Sequence, residues 1–382
     1  MTQLPGFVEE LRAIKETIIS NILLIGQTPA PTFEEAQRAE IFLERLADAQ
    51  TDICATDDYN NPIGIIKGTS GGAKPPIFVV AHLDTFIAGD VDHNYVIRKN
   101  SITGPGVLDN SASVGVLASL PTIFQKLGLS FESDIVLAGV TQSIGRGNLQ
   151  GIRHLVKNWE GPIRGAVIME AEKLGRLNYY SEGIIRGEIE CKITATDNWE
   201  QRYKPNAILI LNEVINEILA MELPQRPRSR VIIGKIDGGF KHGEIAFDAR
   251  LGFEIQSDSD AMVKQMYSEI KDIVDGTSHE HNVALKLNVI STLNASTLKY
   301  RHPLVKSAVA VMKRLGITPV SESSESELSI FLANQIPAVT LGLTDGKNMH
   351  LGHASMKIEP LFTGLSQILG VIMAIDKGVC DE

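Results

Sequence analysis

The feature that most constrains this chain is a recurring apolar run, too short for a helix, that ends at or next to a polar group. Ile77-Phe-Val-Val-Ala-His82, Ile135-Val-Leu-Ala-Gly-Val140 and Gly165-Ala-Val-Ile-Met-Glu170 are all of this kind. Unbroken β-branched and apolar runs of this length read as strands buried on both faces. Between them, Ser113 to Leu127 and Ile152 to Trp159 carry helical apolar spacing. Strand and helix in alternation predict an α/β fold with a mainly parallel sheet and helices on both faces. Such sheets collect ligands at the carboxyl ends of their strands, which is where His82 and Glu170 fall.

Asp84 follows His82 by two residues, so the strand period of 2 puts both on one side. A carboxylate beside a histidine can fix its tautomer and raise its basicity, as at metal sites. Asp109 lies in the Gly/Pro-rich turn Gly104-Pro-Gly-Val-Leu-Asp109-Asn110, which opens the next helix. Alone, a His-x-Asp at a strand end is a common buried polar pair. Asp109 and Glu170 at further element ends turn the reading toward a metal site.

Composition narrows the alternatives. The 382 residues include 43% hydrophobic and 21% charged, enough for two ordinary globular domains. A formal charge of −10 argues against nucleic acid as a partner. No continuous apolar stretch reaches spanning length and the first residues carry no secretion signal, so no membrane and a cytoplasmic location are expected. Cys54, Cys191 and Cys380 have neither disulfide nor zinc spacing. The Gly-rich stretch 68–76 fails as a phosphate loop because Pro follows its lysine. No Gly-x-Gly-x-x-Gly follows a strand, which weakens a dinucleotide-binding oxidoreductase reading.

In chain order, Gly6 to Gly26 reads as one helix, and Thr32 with Glu35 as the capping box of a second reaching about Ala49. Near Ser181 the pattern changes to β-α-β-β-α-β, the order of a ferredoxin-like α+β sandwich. The expected organisation is a discontinuous domain, 1–181 and 294–382, interrupted by a second at 182–293.

These motifs resemble the di-zinc metallopeptidases of the aminoacylase and carboxypeptidase G type, which include peptidase T and the succinyl-diaminopimelate desuccinylases. The likeness runs over nearly the whole chain. It covers the early Thr-Phe-Glu-Glu-Ala stretch, the His-x-Asp strand, the Gly-Pro-Gly-Val-Leu-Asp-Asn turn, Gly238-Gly239, Asp248-Ala-Arg250, Gln335-Ile-Pro337 and a late histidine. It implies that Asp109 bridges two zinc ions, with cobalt or manganese as alternatives. His82 and Glu170 would hold the first ion, and His350, or less readily His353, the second. Asp84 would orient His82, and the inserted domain would act as a lid and form a homodimer.

The chain also departs from that pattern. The family's paired glutamates, general base and metal ligand, are here Gln142 and Ser143. Glutamine cannot take a proton, and serine is a poor zinc ligand. The lid histidine's region reads Ala195-Thr-Asp-Asn-Trp199, and Glu327 ends a Ser/Glu run where the family has aspartate. Glu172 is the candidate replacement base. Asp90, Asp92 and His93 read as a solvated turn that could supply substitute ligands. His279 and His281 read as an exposed loop, and the run 321–327 as solvated unless it lines the cleft. The expected function is metal-dependent hydrolysis of small peptides or N-acyl amino acids at an altered centre. The alternative is a catalytically inactive relative that binds or assembles.

Overall fold

A computed structural model describes residues 3–193 and 205–381. They form two compact units, Met1–Tyr180 with Thr297–Glu382, and Ser181–Ser296.

The larger unit is built on a seven-stranded sheet ordered Ile53–Thr56, Pro62–Ile66, Ile135–Val140, Ile77–His82, Gly165–Glu172, Ala338–Thr344, Leu177–Asn178. The inner strands Ile135–Val140, Ile77–His82, Gly165–Glu172 and Ala338–Thr344 run parallel, and the antiparallel pairs lie at the margins. The α/β fold expected from the sequence is therefore the one adopted. Every residue of Ile77–His82 is buried. Ile77, Val79 and Ala81 pack into the core shared with helices Ala112–Lys126 and Glu359–Asp376. Phe78 points the other way, with ring centroids 4.8 Å from Trp159 and 6.1 Å from Phe331. His82 has the parity of Phe78 and so emerges at the carboxyl end on that second face. Among the described residues, the stretch Val107–Lys126 is the single helix long and apolar enough to cross a membrane, and it is 89% buried as core.

Two sequence expectations fail here for tertiary reasons. The predicted first helix is two, Leu4–Ala13 and Lys15–Gly26, broken at Ile14. Its apolar stripe serves two neighbours. The Leu4 carbonyl accepts from Ser366 of the last helix, whereas Ile22 lies against Gly115 so closely that any side chain at 115 would collide. The capping box is also absent, because the second helix begins at Ala36 and neither residue caps it. Thr32 Oγ1 instead donates to Asp84 Oδ2 at 2.8 Å, and Glu35 Oε1 accepts from the backbone of Phe33 and Gln142. Local spacing matched a cap, but buried acceptors and donors at the sheet edge claimed both side chains.

The smaller unit has the antiparallel sheet order Ser229–Gly238, Asp248–Ser257, Gly183–Lys192, Ala284–Leu293. Helices Ala207–Ala220 and Asp260–His281 complete β-α-β-β-α-β and share its apolar core. Helix Asp260–His281 runs through the residues expected to be an exposed loop. His279 and His281 therefore form its last turn, where imidazole suits the helix dipole, and His281 Nε2 meets Glu213. Ala195 to Trp199 lie outside the described residues.

Candidate metal centre

The site forms where three parallel strands end. His82 is the last residue of Ile77–His82, and Glu170 lies near the end of Gly165–Glu172. Asp109 comes from the turn before helix Ala112–Lys126 and is joined to Asn110 by a cis peptide bond. That turn is set by Gly106, at φ +67°, where a side chain would press against Thr85 Oγ1. One ligand atom from each of His82, Asp109 and Glu170 lies within 4.8 Å of the others.

The surrounding bonds aim these groups. His82 Nδ1 is 3.0 Å from the Asp84 carbonyl and 3.4 Å from Asp84 Oδ1, so Nε2 is left facing Asp109 Oδ1 at 3.2 Å. Asp84, fully buried, also accepts from the backbone N–H of Ser143 at 3.0 Å and of Ile144 at 2.8 Å. One carboxylate thus ties the histidine to the neighbouring strand end. Asn110 clamps the opposite side. Its side chain donates to the Met169 carbonyl at 2.8 Å and accepts from Ala171 N at 3.0 Å, bracketing Glu170. Asn110→Ala is expected to destabilise the protein by about 1–3 kcal/mol for each backbone group it orphans. Urea unfolding measures this loss, and a fall in metal uptake should accompany it.

The electrostatics are those of a buried acidic cluster. Burial pushes the Glu170 carboxyl up to about 7, against the pull of His82 and Arg176 and with the smaller push of Glu327 and Asp109. Burial opposes charging of His82, but its hydrogen bonds to Asp109 and Asp84 outweigh it and hold the imidazole well above its ordinary range. For Asp84 burial is likewise outweighed, by His82 and by the N–H and hydroxyl donors, so its carboxyl stays below the usual value. The donor set, one imidazole nitrogen and two carboxylates, fits a divalent ion, whose ligands stand roughly 3–4 Å apart. The second nitrogen of His82 is already anchored, as metal-bound histidines usually are.

The other sequence candidates divide. His350 Nδ1 lies 3.9 Å from Asp109 Oδ2, with its ring against Phe86, but its side chain is 69% exposed. His353 is exposed. One oxygen of the Glu172 carboxylate, Oε2, is paired with Arg176 at 2.7 Å. Gln142 sits at φ +52°, its N–H held 2.9 Å from Glu35 Oε1. Ser143 donates its hydroxyl to Glu327 Oε1 at 2.6 Å. Asp90 and Asp92 are exposed, but His93 is buried with Nε2 3.1 Å from the Ala88 carbonyl, which corrects its reading as part of a solvated turn.

Thr32, Glu35 and Asn110 were not read as site residues in the sequence. Glu327 ends a run that reads as solvated, yet it is 1% exposed and its charge reaches His82 and Glu170. The Thr-x-x-Glu spacing and the Asn after Asp109 were the available signals.

No family model matches the chain, and no curated protein matches it. Solved structures do. The di-peptidase Dug1p from Saccharomyces cerevisiae is similar with a TM-score of 0.80 at 13% identity, covering 98% of this chain and 99% of its own. The aminopeptidase PepT from Bacillus cereus gives 0.72 at 16% identity, over 94% of this chain and 98% of that one. YXEP of Bacillus subtilis, a dinuclear metal-binding peptidase of the M20 family, gives 0.66 at 14% identity, over 95% and 99%. The fold expected from the motifs is the fold these peptidases have.

Proposed function

We propose that this chain, which folds as the dinuclear metallopeptidases do, is a metal-dependent hydrolase of amide bonds in small peptides or N-acyl amino acids. The observation that carries the reading is the His82, Asp109 and Glu170 cluster at the carboxyl edge of a parallel sheet. Zinc is the ion its nitrogen and carboxylate donors suit best, with cobalt or manganese as substitutes. When bound, such an ion supplies Lewis acidity toward a carbonyl and makes water more acidic.

The chain's own residues supply the rest. Asp84 keeps the His82 ring in one tautomer, and Asn110 keeps Glu170 level with Asp109. His350, beside Asp109, is the residue available to a second ion. With Gln142 and Ser143 in place of carboxylates, proton transfer is the weak point of the centre, which supports a slow enzyme. Exposed Ile232, Ile236 and Val289 in the smaller unit support a homodimer through that unit.

The test is metal analysis of purified protein, then assays on dipeptides and N-acyl amino acids with zinc, cobalt or manganese. Hydrolysis that chelation removes and metal restores is the expected result. Added metal at about 100 times its dissociation constant should also stabilise the fold by about 2.7 kcal/mol, seen as a rise in Tm. Metal uptake without hydrolysis of any substrate would favour a binding or assembly role, which the loss of ionisable groups at 142 and 143 already suggests.

A further inference from the structure

Ser143 and Glu327 are 184 residues apart, yet they meet beside His82 in a way neither position explains alone. Glu327 stands where the chain enters helix Leu328–Ala333, which packs on the same sheet face as His82 through Phe331 and Phe78. Burying a carboxylate costs free energy unless it is paired or coordinates a metal. Glu327 is 1% exposed, and among the described residues no lysine or arginine pairs with it. Ser143 satisfies Oε1, but Oε2 is buried with no hydrogen-bond partner. A continuous chain of contacts links it to the cluster. His82 Nδ1 meets Asp84, Asp84 Oδ2 holds the Ser143 N–H, and the Ser143 hydroxyl holds Glu327.

We infer that Glu327 is a further ligand of the divalent-cation centre, supplying from a different element the carboxylate that Ser143 lacks. The inference rests on the metal-centre reading above. A long acid at 327 is accommodated by a short residue at 143, whose hydroxyl takes Oε1 and leaves Oε2 buried without a partner. The substitution at 143 is then a relocation of negative charge, not its removal. Serine, with its weak affinity for zinc, acts here as an orienting donor.

The test is calorimetric titration of the metal-free protein with zinc chloride, together with the visible absorption of the cobalt form. Glu327→Gln keeps the shape and an acceptor for Ser143 but removes the charge. It is expected to weaken zinc binding by at least the roughly 10–100-fold that losing a residue behind the ligands costs, and to change the cobalt bands, which a purely supporting role would leave in place. Ser143→Ala keeps the charge and is expected to weaken binding less than E327Q does. If wild type binds zinc and E327Q binds it equally with the same cobalt spectrum, the inference is overturned while the metal-centre reading stands. If wild type takes up no ion, both fall. Should E327Q not fold, Glu327→Asp, which withdraws the carboxylate by one methylene, replaces it. A weakened titration supports the inference, and unchanged affinity and spectrum overturn it.

Discussion

Gln142→Glu is expected to raise the hydrolysis rate by about 10²–10⁴-fold, the usual contribution of a positioned general base. The backbone at 142 is already fixed. It lies at φ +52°, its N–H is bonded to Glu35, and Gly147 packs so closely on it that a side chain at 147 would collide. Such strained positions cluster at functional sites, where surrounding structure holds them. Glutamate has the shape of glutamine, so the substitution asks nothing of this backbone and adds only a proton acceptor. The measurement is kcat at saturating metal for the single variant. A rate unchanged within a factor of two would mean that proton transfer is handled elsewhere, and that residue 142 does not face the reacting carbonyl.

Ser143→Glu should act in the opposite sense and be felt in stability. The Ser143 hydroxyl is 2.6 Å from Glu327 Oε1, and both residues are buried. A second carboxylate there would meet the first in a site of low polarity, where like charges cannot both be accommodated. In the metal-free protein the loss is expected to be on the order of 3 kcal/mol, the scale of an uncompensated buried charge. Urea unfolding would show it as a fall in midpoint. Glu327→Ser in the same chain should restore most of the loss, since it returns the site to one acid. Stability of S143E equal to wild type would show that the two positions do not oppose each other. Placing glutamates at both 142 and 143 therefore needs a change at 327 as well.

The positions of His82, Asp109 and Glu170, which the fold brings together, are legible in the sequence. The apolar runs ending at His82 and Glu170 place both at the carboxyl ends of buried strands, where an α/β sheet collects its polar groups. Asp109 was legible from its glycine-rich turn. The smaller unit's β-α-β-β-α-β order was legible from alternation and helical spacing. What failed did so where one local pattern serves two purposes. Thr32 and Glu35 have the spacing of a cap, yet they bond to Asp84 and Gln142. His93 looks like a turn residue among aspartates but is buried against Ala88. Ser-His-Glu-His continues a helix because its buried face, Ile270, Val274 and Thr277, reaches the last turn.

The sequence by itself determined the sheet, the ends at which its polar groups collect, and the absence of ionisable side chains at 142 and 143. These follow from apolar periodicity and residue chemistry, which act within a few residues. Only the tertiary structure decided that a carboxylate, Glu327, lies against Ser143. A run of serines and glutamates reads as solvated in any local window. Glu327 leaves solvent because the helix after it packs on the sheet through Phe331, carrying the carboxylate down beside Ser143 and His82. Burial of that kind is set by packing between segments far apart in the chain, and no local pattern encodes it.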